Sequence, residues 1–229
     1  MLHMARTRRS RGPGERAGLA RSDVVAAARV LARDGVQAIS MRRLADELGV
    51  TANALYSYFP DKAALLDALL DDLLGAIETP ALDPASWQAG LCDILRDTRR
   101  VLLAHADLIP LYLARPGRGP NAMRLGNAML ECFAAAGLSG RPAADALRIL
   151  LMYTLGFAAQ EAPRRSDPEG ERRIRASESA FRGAEDLKLL SQLSGALARH
   201  PDDETFETGL RWLLAGIAAD AGRPARRSR

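Results

Sequence analysis

Aromatic residues are scarce in this 229-residue chain, with Phe, Trp and Tyr together making up 5%. A core of this size must then be built from Leu and Ala, which favours helices over sheets. Cysteine is scarcer still: Cys92 and Cys132 are the only two. Two widely spaced thiols argue against a disulfide framework and fit a reducing compartment. No apolar run approaches the roughly 20 residues that span a bilayer. The longest, residues 149–159, is interrupted by Gly156 and followed by Gln160. The arginines near the N-terminus are not followed by an apolar segment, so they do not read as a secretory signal. A cytoplasmic protein without a membrane partner is expected. The three histidines, His3, His105 and His200, are isolated from other metal ligands, and neither a metal nor a cofactor is expected. The sequence also offers no nucleophile–base pair and no phosphate-binding glycine loop, so it does not read as an enzyme.

What is present is ordinary globular material, 48% hydrophobic and 26% charged. The net charge of +4 hides a partition. Residues 1–21 carry six Arg and one Glu, residues 221–229 carry four Arg, and the remainder holds 22 basic against 27 acidic groups. Basic character therefore sits at the ends, as arms for a polyanion or as solubilising tails. Residues 1–18 combine Arg, Gly and Pro without periodicity and read as a disordered basic arm, and 221–229 as a basic tail.

Between them the pattern is helical. Val24, Val25, Ala28, Leu31 and Ala32 share one face of a helix over 22–34. Ser40 offers an N-cap for 41–48, which Gly49 ends; Thr51 caps 52–59; Asp61 caps a longer Leu-rich helix over 62–77. Further helices are predicted over 85–104, 107–114 (kinked or shortened by Pro110), 121–136, 143–161, 184–198 and 203–220, with a mobile polar loop over 163–183. The fold class is all-α.

Residues 40–59, SMRRLADELGVTANALYSYF, have the spacing of a helix-turn-helix. Ala45 occupies the small position where the helices touch, Gly49 the turn, and Leu44, Leu48, Val50 and Leu55 the apolar lock. A recognition helix of about eight residues is marginal alone and must be held by its neighbours. The longer string over 24–70, and within it Leu55-Tyr56-x-Tyr58-Phe59-x-x-Lys62-x-x-Leu65-Leu66, resembles the tetracycline-repressor (TetR) family of bacterial transcriptional regulators. The segments over 113–138, 153–162 and 206–217 are similar to the branch whose C-terminal domain is like that of the tetracycline repressor. The resemblance implies a helix-turn-helix DNA-binding domain over 19–66, and a helical ligand-binding and dimerisation domain over 67–220 joined through the linking helix.

It also implies roles. Ser40 and Arg42 stand at the start of the second helix, where Arg42 can pair with guanine O6 and N7. Thr51, Ala52, Asn53, Ala54 and Ser57 form the outward face of the recognition helix, Asn53 facing adenine and an alanine facing a thymine methyl. Tyr56 and Lys62 match phosphate-contacting positions, and Tyr58 replaces a common His. The arm over 6–11 is a candidate for the minor groove. Trp87, Tyr112, Met129, Phe133, Met152, Tyr153 and Phe157 are candidates to line a pocket for an unidentified small molecule. Leu147, Leu150, Leu151, Leu210, Leu213, Leu214 and Ile217 are candidates for a homodimer interface. The family's drug–magnesium site needs a His before Arg115-Pro116 and a Glu near the end of the long helix; here Leu111, Tyr112 and Gln160 (with Glu161 adjacent) stand there, so that complex is not expected as inducer. The expected partners are therefore double-stranded operator DNA, a second copy of the chain, and a hydrophobic or amphipathic effector whose binding releases a repressor. The alternative is control by a protein partner or by oxidation of the cysteines.

Overall fold

The computed structural model describes residues 18–81, 83–115, 117–162, 168–182, 186–198 and 202–221. Most of the basic arm, including 6–11, and all of the C-terminal tail except Ala221 lie outside the described residues. Among the described residues every regular element is helical.

Four helices open the chain: α1 (Arg21–Ala32), α2 (Met41–Leu48), α3 (Ala52–Tyr56) and α4 (Lys62–Gly75). α1 packs on α2 and α4, and α2 on α3. There follow α5 (Trp87–Ala104), α6 (Ile109–Ala114), α7 (Pro120–Ala135) and α8 (Gly140–Glu161). α5 lies against α7 and α8, and α4 reaches out to pack on α7. The chain ends in α9 (Pro168–Arg182), α10 (Lys188–Gln192), α11 (Ser194–Leu197) and α12 (Asp203–Ala221), the last lying on α8. One apolar core is continuous from Val24 on α1, through Leu65, Leu69 and Leu73 on α4, to Phe206 and Leu210 on α12.

Two expectations need correction, and a third is met. The polar stretch read as a mobile loop over 163–183 contains α9, held against α10 and α11. Its Glu, Arg and Ala are good helix formers, and packing on α10 and α11 lets that propensity act. The single helix predicted over 184–198 is broken at Leu193 into α10 and α11. The helix predicted over 107–114 is shortened at Pro110 as expected: Pro110 sits in the first turn of α6, where its missing N–H costs no helix hydrogen bond, and the preceding residues form a 3₁₀ turn, Ala106–Leu108.

Candidate nucleic-acid interface and effector cavity

The helix-turn-helix is built by three caps. Ser40 Oγ accepts from the Arg43 N–H at 3.1 Å, Thr51 Oγ1 from the Ala54 N–H at 3.3 Å, and Asp61 Oδ1 from the Ala64 N–H at 2.7 Å. Each satisfies a donor that the first turn of a helix leaves open. Between the first two, Gly49 takes a left-handed conformation (φ 65°) that closes α2 and turns the chain into α3. Leu44, Leu55 and Phe59 are fully buried, and Ala45 nearly so, which fixes the crossing of α2 and α3.

That packing divides the candidate residues. Arg42, Thr51, Asn53, Tyr56 and Ser57 are exposed; Ser40, Ala52, Ala54, Tyr58 and Lys62 are half-buried. Among the described residues Arg42 has no ion-pair partner, whereas its neighbour Arg43 is held by Asp34 at 3.2 Å. Ser57 Oγ donates to the Ala54 carbonyl at 2.7 Å and Ser40 and Thr51 are committed as caps, leaving Arg42, Asn53 and Tyr56 as the uncommitted reach of this surface. Lys62 opens α4, beside the free N–H groups of its first turn.

α3 has only five helical residues, shorter than the 52–59 predicted, and residues 57–60 turn away from it. One residue that holds this end was counted in the sequence only as basic-tail charge. Arg21 Nη1 donates to the Tyr58 carbonyl at 2.6 Å, and its guanidinium lies 4.1 Å from the centre of the Phe59 ring. No local pattern signals this, because the partners are 37 residues apart.

In the C-terminal helices the expected pocket residues separate. Met129 and Phe133 are fully buried core, Trp87 and Tyr112 are half-buried, and Met152 is exposed on the outside of α8. Tyr153 and Phe157 line a cavity of about 790 Å³ between α8, α11 and α12. Its wall adds Leu213 and Trp212, with Thr205, Thr208, Asp202 and Glu204 as polar groups. Tyr153, Phe157 and Phe206 form one aromatic cluster with centroids 5.1–5.8 Å apart, Tyr153 stacked on Phe206 and Phe157 edge-on to Phe206. Arg99 lies over Phe206 at 4.8 Å and binds Glu161 at 2.7 Å and Asp203 at 2.6 Å. Arg96 grips Glu207 with two hydrogen bonds of 2.6 and 2.7 Å, which holds that carboxyl below its ordinary range. Deeper in α8, the Thr154 hydroxyl is buried and has no hydrogen-bond partner among the described residues.

Of the expected dimer residues, Leu150, Leu210 and Leu214 are already buried within one chain, and Leu147, Leu151, Leu213 and Ile217 are half-buried. The apolar side chains that the same two helices leave exposed are Ile149, Met152 and Trp212, at 50%, 66% and 72%. Helical periodicity finds the apolar stripe but does not say which side of a broad stripe is already covered.

No group of three or more potential metal ligands is assembled among the described residues. The donor set does not suit a divalent cation: Leu111 and Tyr112 precede Arg115, and Glu161 is held by Arg99. Burial pushes both thiols up, Cys92 and Cys132 alike, which disfavours the reactive thiolate. No described helix is long and apolar enough to cross a membrane.

The three-helix head, the short outward α3 and its uncommitted side chains define a helix-turn-helix DNA-binding protein. Residues 24–69 match the bacterial regulatory proteins of the tetR family, and residues 79–221 match the tetracyclin repressor-like C-terminal domain. The chain is 33% identical to an HTH-type transcriptional regulator of Saccharopolyspora erythraea over 203 residues, 87% of this chain and 84% of that one. Its fold is similar to that of the Streptomyces coelicolor TetR-family protein ActR in complex with actinorhodin, with a TM-score of 0.83 and 29% identity over 90% of this chain and all of that one. It is also similar to BioQ with its double-stranded DNA operator, at a TM-score of 0.62 and 29% identity over 88% of this chain and 99% of that one. The chain belongs to the TetR family of bacterial transcriptional regulators. It is a regulator and not an enzyme.

Proposed function

We propose that this chain is a homodimeric, effector-responsive repressor acting in the cytoplasm, with residues 19–66 reading DNA and residues 67–220 binding effector and partner. One observation carries the DNA reading. The capped α2–α3 unit presents Arg42, Asn53 and Tyr56 outward without side-chain partners among the described residues, with Lys62 at the start of the next helix. Arg42 and Asn53 read base edges, Tyr56 and Lys62 hold the backbone, and Ser40, Thr51, Ala52, Ala54, Ser57 and Tyr58 complete the contact surface. A helix this short reads few bases, so two copies on a palindromic operator are needed for useful specificity.

The second copy docks on α8 and α12, through Ile149, Met152 and Trp212 with the half-buried Leu147, Leu151, Leu213 and Ile217 around them. An effector enters the cavity that Tyr153 and Phe157 line; its size and its mixture of rings with a few hydroxyl and carboxyl groups suit an amphipathic molecule. The ActR–actinorhodin complex supports control by a small molecule, while the raised thiols speak against control by oxidation. Release requires that the effector favour the arrangement that does not bind DNA; a shift from 1:99 to 99:1 needs a preference of about 10⁴-fold.

The test is selection of genomic fragments by the purified chain, followed by thermal-shift screening of compounds against the protein. A palindromic fragment, and a compound that both stabilises the protein and weakens its grip on that fragment, are expected. Equal binding to every duplex in modest salt would overturn the DNA reading. Stabilising compounds that all leave operator affinity untouched would overturn induction.

A further inference from the structure

The cavity between α8, α11 and α12 has a wall of fixed rings and an end of one charge. Tyr153 on α8 lies against Gly209 of α12, where a Cβ would collide with the tyrosine hydroxyl. That hydroxyl donates to the Phe206 carbonyl at 2.8 Å, so the absent side chain at 209 and the bond to α12 together hold the ring in the wall. Along α12, Glu204, Thr208 and Trp212 recur at every fourth residue, and all three line the cavity. They share one strip of the helix, with positions 204 and 212 about 12 Å apart. The site therefore has a long axis, with a carboxylate at one end, a hydroxyl between, and Trp212 and Leu213 at the other.

The carboxylate end is negative on balance. The start of α12 contributes roughly half a positive charge, against the carboxylates of Asp202, Asp203 and Glu204. Asp202 accepts from the Thr205 N–H at 2.9 Å and its hydroxyl at 2.7 Å, and Asp203 is paired with Arg99. Glu204 is exposed and has no ion-pair partner among the described residues. No Lys or Arg among the described residues lines the cavity. The arginines around it are engaged: Arg99 with Glu161 and Asp203, Arg96 with Glu207, and Arg211 with Thr208 Oγ1 at 3.0 Å. The aromatic cluster already holds one cation, since the Arg99 guanidinium stands 4.8 Å from the Phe206 centroid and 5.4 Å from that of Phe157. There a cation lies between rings and two carboxylates; the cavity offers a ligand the same two elements.

We propose that this cavity selects a lipophilic organic cation, with its charged nitrogen at Glu204 and its apolar body against Tyr153, Phe157 and Trp212. The cavity and its rings make the site, and Glu204 sets the sign of the charge it accepts. An anion lying along the same axis would place its charge against Glu204 and Asp202. The inference rests on the effector reading above and names the chemical class that the cavity takes.

The experiment uses three fluorescent probes with one ring system: pyrenemethylammonium, neutral pyrenemethanol and pyrenecarboxylate. Their affinities are measured on the full-length wild type, on Glu204→Gln, and on Ala196→Trp, which fills the cavity from an exposed position on α11. The wild type should bind the ammonium about 2- to 5-fold more tightly than the alcohol, the scale of one exposed charge contact, and the carboxylate most weakly. Glu204→Gln should remove the ammonium's advantage while leaving affinity for the alcohol unchanged, and Ala196→Trp should weaken all three. Loss of every probe in Ala196→Trp, with the carboxylate bound as tightly as the ammonium or with an ammonium preference that survives Glu204→Gln, would overturn the cationic class and leave the cavity as an effector site. Probes that bind Ala196→Trp as they bind the wild type would remove the cavity itself, and the proposal with it.

Discussion

Arg42 and Arg43 are neighbours of one type on one helix, and their surroundings give them different work. Asp34 pairs with Arg43, while Arg42, at the outer face, has no ion-pair partner among the described residues. Replacing Arg42 with Ala should therefore relax specificity at one position per half-site, by about 1–3 kcal/mol. Lys62→Ala or Tyr56→Phe should instead weaken all duplexes alike, and Lys62→Ala should reduce the salt slope by about 1. Titrations against matched and mismatched duplexes at several salt concentrations separate the two; equal losses for Arg42→Ala on specific and random duplexes would reject base reading. The family resemblance singled out Arg42, but the pairing that occupies Arg43 was not legible in the spacing, because Asp34 belongs to another element. His105 offers a second residue-scale check. Burial, then the nearby Arg29 and Arg33, hold its pKa below the ordinary 6.5, against a smaller opposing effect of Asp107. The unfolded chain then binds the proton more readily than the folded one, so stability should fall as pH drops through about 6.5. His105→Gln should flatten that part of a melting-temperature profile; an unaltered profile would show that another group causes the slope.

At the scale of elements, α3 depends on what surrounds it. Five helical residues cannot persist alone, so their order comes from the Thr51 cap, the buried Leu55 and the Arg21 clamp on Tyr58 and Phe59. Arg21→Ala should cost about 1 kcal/mol of stability, the combined scale of an exposed cation–π contact and a hydrogen bond. It should also lower operator affinity while leaving the salt slope unchanged, whereas loss of a direct phosphate contact would reduce that slope. The other caps of this region were legible from Ser40, Gly49, Thr51 and Asp61, since capping is local chemistry within three residues. α9 was not legible, because polar composition hid a helix that packs on α10 and α11. Nor was the break at Leu193, where the apolar pattern continues but the helix does not.

At the scale of the molecule, the exposed apolar residues of α8 and α12 give the proposed dimer its test. Met152→Glu with Trp212→Asp should yield monomers by sedimentation and abolish tight operator binding, with helicity retained because both side chains already face solvent. A double variant that remains dimeric would move the interface elsewhere. The long-range ion pairs follow the same logic. Arg96 with Glu207, and Arg99 with Glu161 and Asp203, tie α5 to α8 and α12 across as many as 111 residues of chain.

The amino-acid order by itself determined the helix-turn-helix, its caps and glycine turn, and the apolar stripes that make the bundle, because each depends on neighbours within a turn or two of chain. Only the tertiary structure decided that Arg21 clamps the residues that follow the recognition helix, that Asp71 on α4 accepts from the Ala122 N–H at the start of α7, and that Leu150, Leu210 and Leu214 are covered within one chain. Those outcomes depend on which faces meet once separate helices pack, and a one-dimensional period carries no record of the partner across the contact.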